Sequence, residues 1–410
     1  MSPAVLLTRS RVLRSLEHRD WRKLWFVSQL WHLPFWMDYM ILGWVILERT
    51  DSPFLVALVG AFRLLPMGTL GFIAGAQADR WPRKKMLMGT QFLNFVLSAG
   101  MGIALFLDLL NLWQMYMGAF LIGIAWAIDY PVRHSMIRDV VPENVVVNAM
   151  AINVASWMGS AMVGRWVAGW MLDVAGPGEA YFFIAVSVLL GLLFVIRVPV
   201  PSAVKDDAAR EPALKSLIVG LKYVWRNGAI RGVLLITLGA NTLVFPHIQL
   251  HPVFARDVFG VGATALGFMS GMDGMGSMFG AVVIAALGSL RYRGQIFVIG
   301  SLVLGVGALL FSFAPFYALA LPALLFAGLG QSGFTIMQST IATTASTPEM
   351  RGRAMGAVAM AIGALPLGML YMGGLAEWIG APRAVTYSSL AFLAVVLLTA
   401  ATQPGIRKVK

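Results

Sequence analysis

The chain has 410 residues, of which 59% are apolar, 12% are charged and 43 are glycine. A charged share about half that of an ordinary domain excludes a soluble enzyme, so much apolar content excludes disorder, and the lack of cysteine excludes a disulfide scaffold and thiolate chemistry. The composition describes an all-α, polytopic membrane protein, because about twelve spans of ~20 residues use ~240 residues and leave only short loops.

The elements in chain order are apolar runs at 21–48, 53–78, 86–107, 111–133, 146–172, 179–197, 229–254, 262–287, 295–315, 317–343, 354–376 and 382–402. They lack the two-residue alternation of barrel strands, and a lipid-exposed backbone must satisfy its own hydrogen bonds, so each is expected to be a helix. Arg9, Arg11 and Arg14 are not followed by a short apolar core with a cleavage site, so no cleaved signal peptide is expected. Twelve spans put both termini on one side. Of the 31 Lys and Arg, 26 fall in the terminal and loop segments of that side, three (Arg49, Arg256, Arg383) on the other, and two, Arg63 and Arg165, inside spans. That asymmetry makes the termini cytoplasmic. The net charge of +12 is scattered between apolar runs rather than gathered on one domain, so no nucleic-acid partner is expected. Trp21, Trp25, Trp113 and Trp225 lie near span ends and read as interfacial anchors in contact with membrane lipid.

The longest polar stretch, 198–228, stands mid-chain and reads as a cytoplasmic linker, partly an amphipathic surface helix from Leu214 to Trp225. It divides the chain into an N-terminal six-helix half, 1–197, and a C-terminal six-helix half, 229–410. The halves echo each other. The turn from Gly75 to Lys85 after span 2 has a shorter counterpart from Gly288 to Gly294 after span 8, and Pro142-Glu143 before span 5 matches Pro348-Glu349 before span 11. A parallel duplication of a six-helix unit has this form.

With Gly75, Asp79, Arg80, Arg83, Lys84 and Lys85 in the loop between spans 2 and 3, the chain resembles the major facilitator superfamily, whose loop signature reads G-x-x-x-D-R-x-G-R-[RK]; Pro82 stands where Gly is usual. Further segments resemble its efflux branch of enterobactin exporters and macrolide efflux pumps: Arg19 to Trp25, Arg63 to Pro66, Asn148-Ala149, Pro252 to Arg256, and Thr347 to Arg353. The exporter signature of span 5, Gly-Pro-x-x-x-Gly, here reads Gly164-Arg165-Trp-Val-Ala-Gly169. The resemblance implies two pseudo-symmetric halves around a central cavity and export of a small amphipathic molecule across a bacterial inner membrane. It also implies that the Asp79, Arg80 and Arg83 loop clamps the halves on the cytoplasmic side, with Arg83 pairing with Asp129. The bland alternative is a solvated turn near headgroups, which suits Lys84 and Lys85.

Ionisable residues inside spans are costly and default to a functional reading. Asp38, Arg63 and Arg165 each lie about seven to nine residues from the outer end of their spans, a common depth of ~10–14 Å. They form either a static ion pair or a proton-titrating, substrate-contacting site. Asp273, near the middle of span 8, reads as a proton or cation site. Met269, Met272, Met275 and Met278 form a stripe that either fills gaps or lines an adaptable wall, and Gly276 and Gly280 invite close helix packing. Asn241, His247, Gln249 and His251 sit where Pro246 and Pro252 break span 7. They read as cavity or gate residues, interfacial caps or, less simply, metal ligands, since the two prolines make the geometry of the His pair unreliable; no metal site is expected.

No P-loop or nucleophile–base constellation is present, so the chain is expected to be a non-enzymatic, monomeric secondary transporter without cofactors. The expected cargo is a drug, macrolide or siderophore exchanged for protons. Nutrient import, or a lipid flippase or non-transporting scaffold, are the rival readings.

Overall fold

A computed structural model of the chain describes residues 14–78, 82–198, 220, 222–286, 292–347, 350–407 and 409. The described residues form helices and connecting turns, with no strand among them. In chain order the long helices are α1 (Arg19–Thr50), α2 (Pro53–Ala78), α3 (Arg83–Phe106), α4 (Leu112–Val140), α5 (Val146–Val174), α6 (Pro177–Val195), α7 (Gly228–Gly239), α8 (Ala263–Ala286), α9 (Arg293–Ser312), α10 (Tyr317–Thr344), α11 (Arg351–Ile362), α12 (Leu365–Ile379) and α13 (Ala381–Thr402). Among the described residues ten stretches are long and apolar enough to cross a membrane. With α2 and α8, 26 and 24 residues long, they account for the twelve spans read from the sequence.

Local chemistry sets the helix starts. Gln114 accepts the Asn111 backbone N–H at 2.8 Å ahead of α4, and Asn227 caps α7 by accepting from the backbone N–H of Ala229 and Ile230. Spans 6 and 12 begin alike: a left-handed glycine, Gly176 (φ 105°) or Gly380 (φ 86°), is followed by a proline in the first helical turn. Pro34, Pro66, Pro131 and Pro322 are carried inside continuous helices.

Three departures from the sequence reading matter. Span 4 does not stop near residue 133; α4 runs to Val140. Span 11 is two helices, α11 and α12, interrupted at Gly363 and Ala364 just before Pro366, which lacks the N–H that would continue the ladder. Span 7 loses regular α geometry after Gly239. It passes through a π turn (Ala240–Val244), a 3-10 stretch (Phe245–Leu250), one α turn (His251–Val253) and a second π turn (Phe254–Val258).

The helices gather into two compact units, Met1–Ile41 with Phe62–Asp207, and Leu42–Ala61 with Ala208–Lys410. The α1–α2 corner therefore packs with the second unit rather than with the first six-helix half. Most of the expected linker, 199–219, lies outside the described residues, as do Pro348 and Glu349. In the first unit Trp21, Leu24, Leu87, Val132 and Met136 share one apolar cluster. Trp21 is fully buried there and is not the interfacial anchor its position suggested, whereas Trp113 and Trp225 are exposed. In the second unit α8, α9 and α10 approach through small residues, since no hydrophobic force separates lipid from leucine and close packing has to hold the helices. Gly276 and Gly280 of the expected small-residue motif face Leu325, Gly328, Leu329 and Ser332 of α10.

A methyl group at Gly276 would stand 2.1 Å from the Leu325 carbonyl oxygen, so α8 and α10 would have to part. Gly276→Ala is expected to cost about 1–3 kcal/mol as an overpacked contact and to lower the thermal midpoint of the purified protein. Gly89→Ala, which meets nothing within 4 Å on an exposed face of α3, should not lower that midpoint.

Candidate functional site

In the first unit the site is built on one buried carboxylate. Asp38 lies on α1 with its side chain hydrogen-bonded by Arg63 Nη2 from α2 and by the Tyr181 hydroxyl from α6. Three helices thus meet on one carboxyl group, and all three residues are buried. Arg63 also lies 5.6 Å from the ring centroids of both Phe35 and Tyr39. Small residues make this approach possible. A side chain at Gly123 of α4 would collide with the Arg63 carbonyl, and one at Gly164 of α5 with the Leu33 carbonyl. Arg165, next to Gly164, lies with its guanidinium 4.5 Å from the Trp36 ring centroid. Trp36 in turn touches Tyr39 edge-on at 6.0 Å. The expected grouping of Asp38, Arg63 and Arg165 is therefore one continuous patch, with Asp38 and Arg63 in direct contact and Arg165 joined through aromatic rings.

Beside it runs an aromatic cluster that the sequence reading did not single out. Phe35 packs on Trp31, Trp126 and Trp157 at 5.3–5.4 Å, and His32 meets Trp157 edge-on at 4.9 Å. The Trp31–Phe35 spacing of four on one helix, followed at once by Trp36, was the available sign, but helical spacing of aromatics describes a packed core equally well.

A second buried pair lies farther along α4. Asp129 accepts from Arg133 Nε and Nη2 at 2.8 Å each, and Arg133 Nη1 donates to Ser28 Oγ at 3.0 Å while its guanidinium lies 5.5 Å from the Trp31 ring centroid. The expected Arg83–Asp129 pair does not form. Arg83 donates instead to Asp139 Oδ2 at 2.6 Å. The reason is the length of α4: Asp129 sits about three turns before its end, while Asp139 is in the last turn, level with the start of α3. Asp79 and Arg80 lie outside the described residues.

In the second unit the broken span 7 does more than its prolines suggested. His247 and His251 keep their rings 5.2 Å apart despite Pro246 and Pro252, because the change from 3-10 to α turns between them brings both to one side. Asp273 of α8 faces them, with Oδ2 3.8 Å from His251 Nε2. His247 Nδ1 bonds the Val244 carbonyl at 2.8 Å and His251 Nδ1 meets Ser270 Oγ at 3.1 Å. Asn241 turns back to its own helix and donates to the Thr237 carbonyl at 2.9 Å. Gln249 donates to the Val56 carbonyl of α2 at 2.9 Å. Arg256 reaches the Leu47 carbonyl and Asp51, each at 2.8 Å, and Glu377 of α12 accepts from Ser52 Oγ at 2.8 Å and from the Phe54 N–H at 3.1 Å. Glu377 thereby caps the N-terminus of α2, where a carboxylate is favoured. The α1–α2 corner is thus held by Gln249, Arg256 and Glu377. Of the four expected methionines, Met269 and Met272 are buried and Met275 and Met278 half-buried.

The helical spans thus carry several buried charge pairs between and within them. The family model described as a transmembrane secretion effector matches residues 11–407. The chain belongs to this family, within the major facilitator superfamily. Relatives include the staphyloferrin A transporter of Staphylococcus aureus, 23% identical over 90% of this chain and 93% of its own. The multidrug efflux pump Tap of Mycolicibacterium fortuitum is 22% identical over 82% and 84% of the two chains, and the enterobactin exporter EntS of Escherichia coli 22% over 80% and 78%. Among solved structures, the peptide transporter POT superposes with a TM-score of 0.77 at 12% identity, covering 95% of each chain, and so supports the fold alone. The family-level efflux resemblance read from the sequence is borne out.

Arg133→Ala would leave the Asp129 carboxylate buried without its guanidinium, a loss of about 3–5 kcal/mol. Arg83→Ala, which removes a partly exposed pair, should cost about 1 kcal/mol or less. Thermal unfolding of the two variants in the same detergent should therefore separate them clearly, and equal midpoints would contradict the assigned partners.

Proposed function

We propose that the chain exports a small amphipathic molecule of drug, macrolide or siderophore type from the bacterial cytoplasm, in exchange for protons, by alternating access. The relatives' printed roles support the direction and the cargo class. The observation that carries the mechanism is the Asp38–Arg63–Tyr181 junction, where one carboxylate ties α1, α2 and α6 together inside the membrane. A buried carboxylate is the group whose charge a single proton removes. Deprotonated, Asp38 keeps its charge and, together with Arg63 and Tyr181, holds cargo taken up on the cytoplasmic side. Protonated from the outer side, it loses that charge and the cargo is let go, so proton and cargo occupy the site in turn. Arg165 and the aromatic cluster of Trp31, Phe35, Trp36, Trp126 and Trp157 suit the apolar and aromatic parts of such a molecule.

In this reading the termini are cytoplasmic and the α1–α2 corner faces outward. Gln249, Arg256 and Glu377 are then outer closure contacts, and Arg83 with Asp139, together with Asp79 and Arg80, belongs to the cytoplasmic gate. Asn241 lines the flexible part of span 7, and His247 and Asp273 serve a cation.

The test uses a deletion strain exposed to a panel of toxic compounds and siderophores, and purified protein in proteoliposomes with an imposed pH gradient. Hypersensitivity of the strain and gradient-driven cargo movement are expected. Asp38→Asn should reach the membrane at normal levels yet lose proton-driven transport at least about tenfold, the scale of 1.4 kcal/mol. Unchanged gradient-driven transport by Asp38→Asn overturns the proton reading. Loss of growth on a nutrient would instead indicate import, and absence of solute movement would indicate a flippase or scaffold.

A further inference from the structure

The second unit carries a cluster that proton exchange at Asp38 does not use. One donor atom from each of His247, His251 and Asp273 lies within 4.8 Å of the other two, and all three residues are buried. We propose that these residues form a binding site for a divalent first-row transition-metal ion.

The donor set fits. Two imidazoles and one carboxylate suit zinc, iron, cobalt or nickel, and three protein donors leave a fourth position open to water or to a ligating group on a bound molecule. The histidines are also oriented for the task. The Val244 carbonyl can only accept, so at 2.8 Å it places the proton of His247 on Nδ1 and makes Nε2 the atom of the ring that can ligate an ion. Ser270 Oγ, 3.1 Å from His251 Nδ1, holds the second ring in place. His251 Nε2 and Asp273 Oδ2 stand 3.8 Å apart, too far for a hydrogen bond but close to the ~3.4 Å that separates neighbouring ligands of a tetrahedral ion with ~2.1 Å bonds. Small rotations of the side chains bring the third atom in. Phe311 packs on both imidazoles, 6.0 and 5.4 Å from their centroids, and closes one side with an apolar wall.

The backbone adds a reason for the site's position. Its histidines lie in the irregular part of span 7, and membrane transporters place ions where helices are broken. Gln249 sits between the two ligands in sequence and donates to the Val56 carbonyl of α2. An ion that holds His247 and His251 therefore stiffens the same stretch of chain that holds the α1–α2 corner. Metal occupancy and this contact are coupled.

The test is titration of purified, chelator-treated protein, its affinity tag removed, with cobalt(II). One equivalent should produce ligand-field absorption in the visible range, and zinc should displace it. His251→Ala and Asp273→Asn should each weaken binding by about tenfold or more, while His18→Ala should not. Affinity should fall as the medium is acidified, since imidazole must be deprotonated to bind. As a reading independent of the variants' folding, zinc should raise the thermal midpoint of the unaltered protein and protect the α1–α2 corner from hydrogen exchange. Absence of a stoichiometric cobalt spectrum in the unaltered protein overturns the proposal, as does cobalt binding that survives Asp273→Asn and His251→Ala unchanged. Because transport is not the readout, failure here leaves the export reading standing, and failure of export leaves the metal site standing.

Discussion

A charge inside a helical bundle has to find its counter-charge, because neither lipid nor packed side chains solvate it. In the first unit this constraint decides where helices meet. Asp38 and Arg63 belong to successive helices, so their contact joins α1 to α2, and Tyr181 adds α6 to the same carboxylate. The glycines at 123 and 164 follow from it, since they let the backbones of α4 and α5 come close to Arg63 and Leu33. Arg133 and Asp129 meet the same demand within one helix, at a spacing of four, and then spend the remaining donor on Ser28 of α1. A pair spanning helices senses their separation and a pair within one helix does not. That difference sets the Asp38 junction, which ties three helices, apart from the Asp129 pair.

The second unit solves a different problem. Span 7 is interrupted by Pro246 and Pro252, and span 11 at Gly363 and Ala364 before Pro366. The freed backbone is not left in lipid: the irregular stretch of span 7 is buried, and it carries the residues that contact α2, the histidines and Arg256. Regular helices supply the frame, and irregular ones supply side chains aimed where a straight helix would not send them.

Much of the site was legible as a list of residues and little of it as a set of contacts. Asp38, Arg63 and Arg165 are ionisable groups inside spans, and their common depth follows from counting residues along helices. Tyr181 carries no such signal, because a tyrosine in an apolar run has many harmless uses. The partner of Arg83 depends on where α4 ends, since a helix that continues past a charged residue moves every later side chain to a new height. Two prolines make a regular helix unsafe to assume around His247 and His251, yet the irregular turns preserve the proximity that an α-helix would have offered.

By itself the sequence determined the number of spans, their order and the family. Those properties rest on hydropathy, charge placement and local motifs, which add up along the chain residue by residue. Only the tertiary structure decided which charges pair, which aromatics gather around Phe35, and that the α1–α2 corner packs with the second unit. These depend on how far each helix extends and how it is rotated about its own axis. Rotation is set by packing against neighbours distant in sequence, and an almost uniformly apolar helix carries no polar face from which to read it.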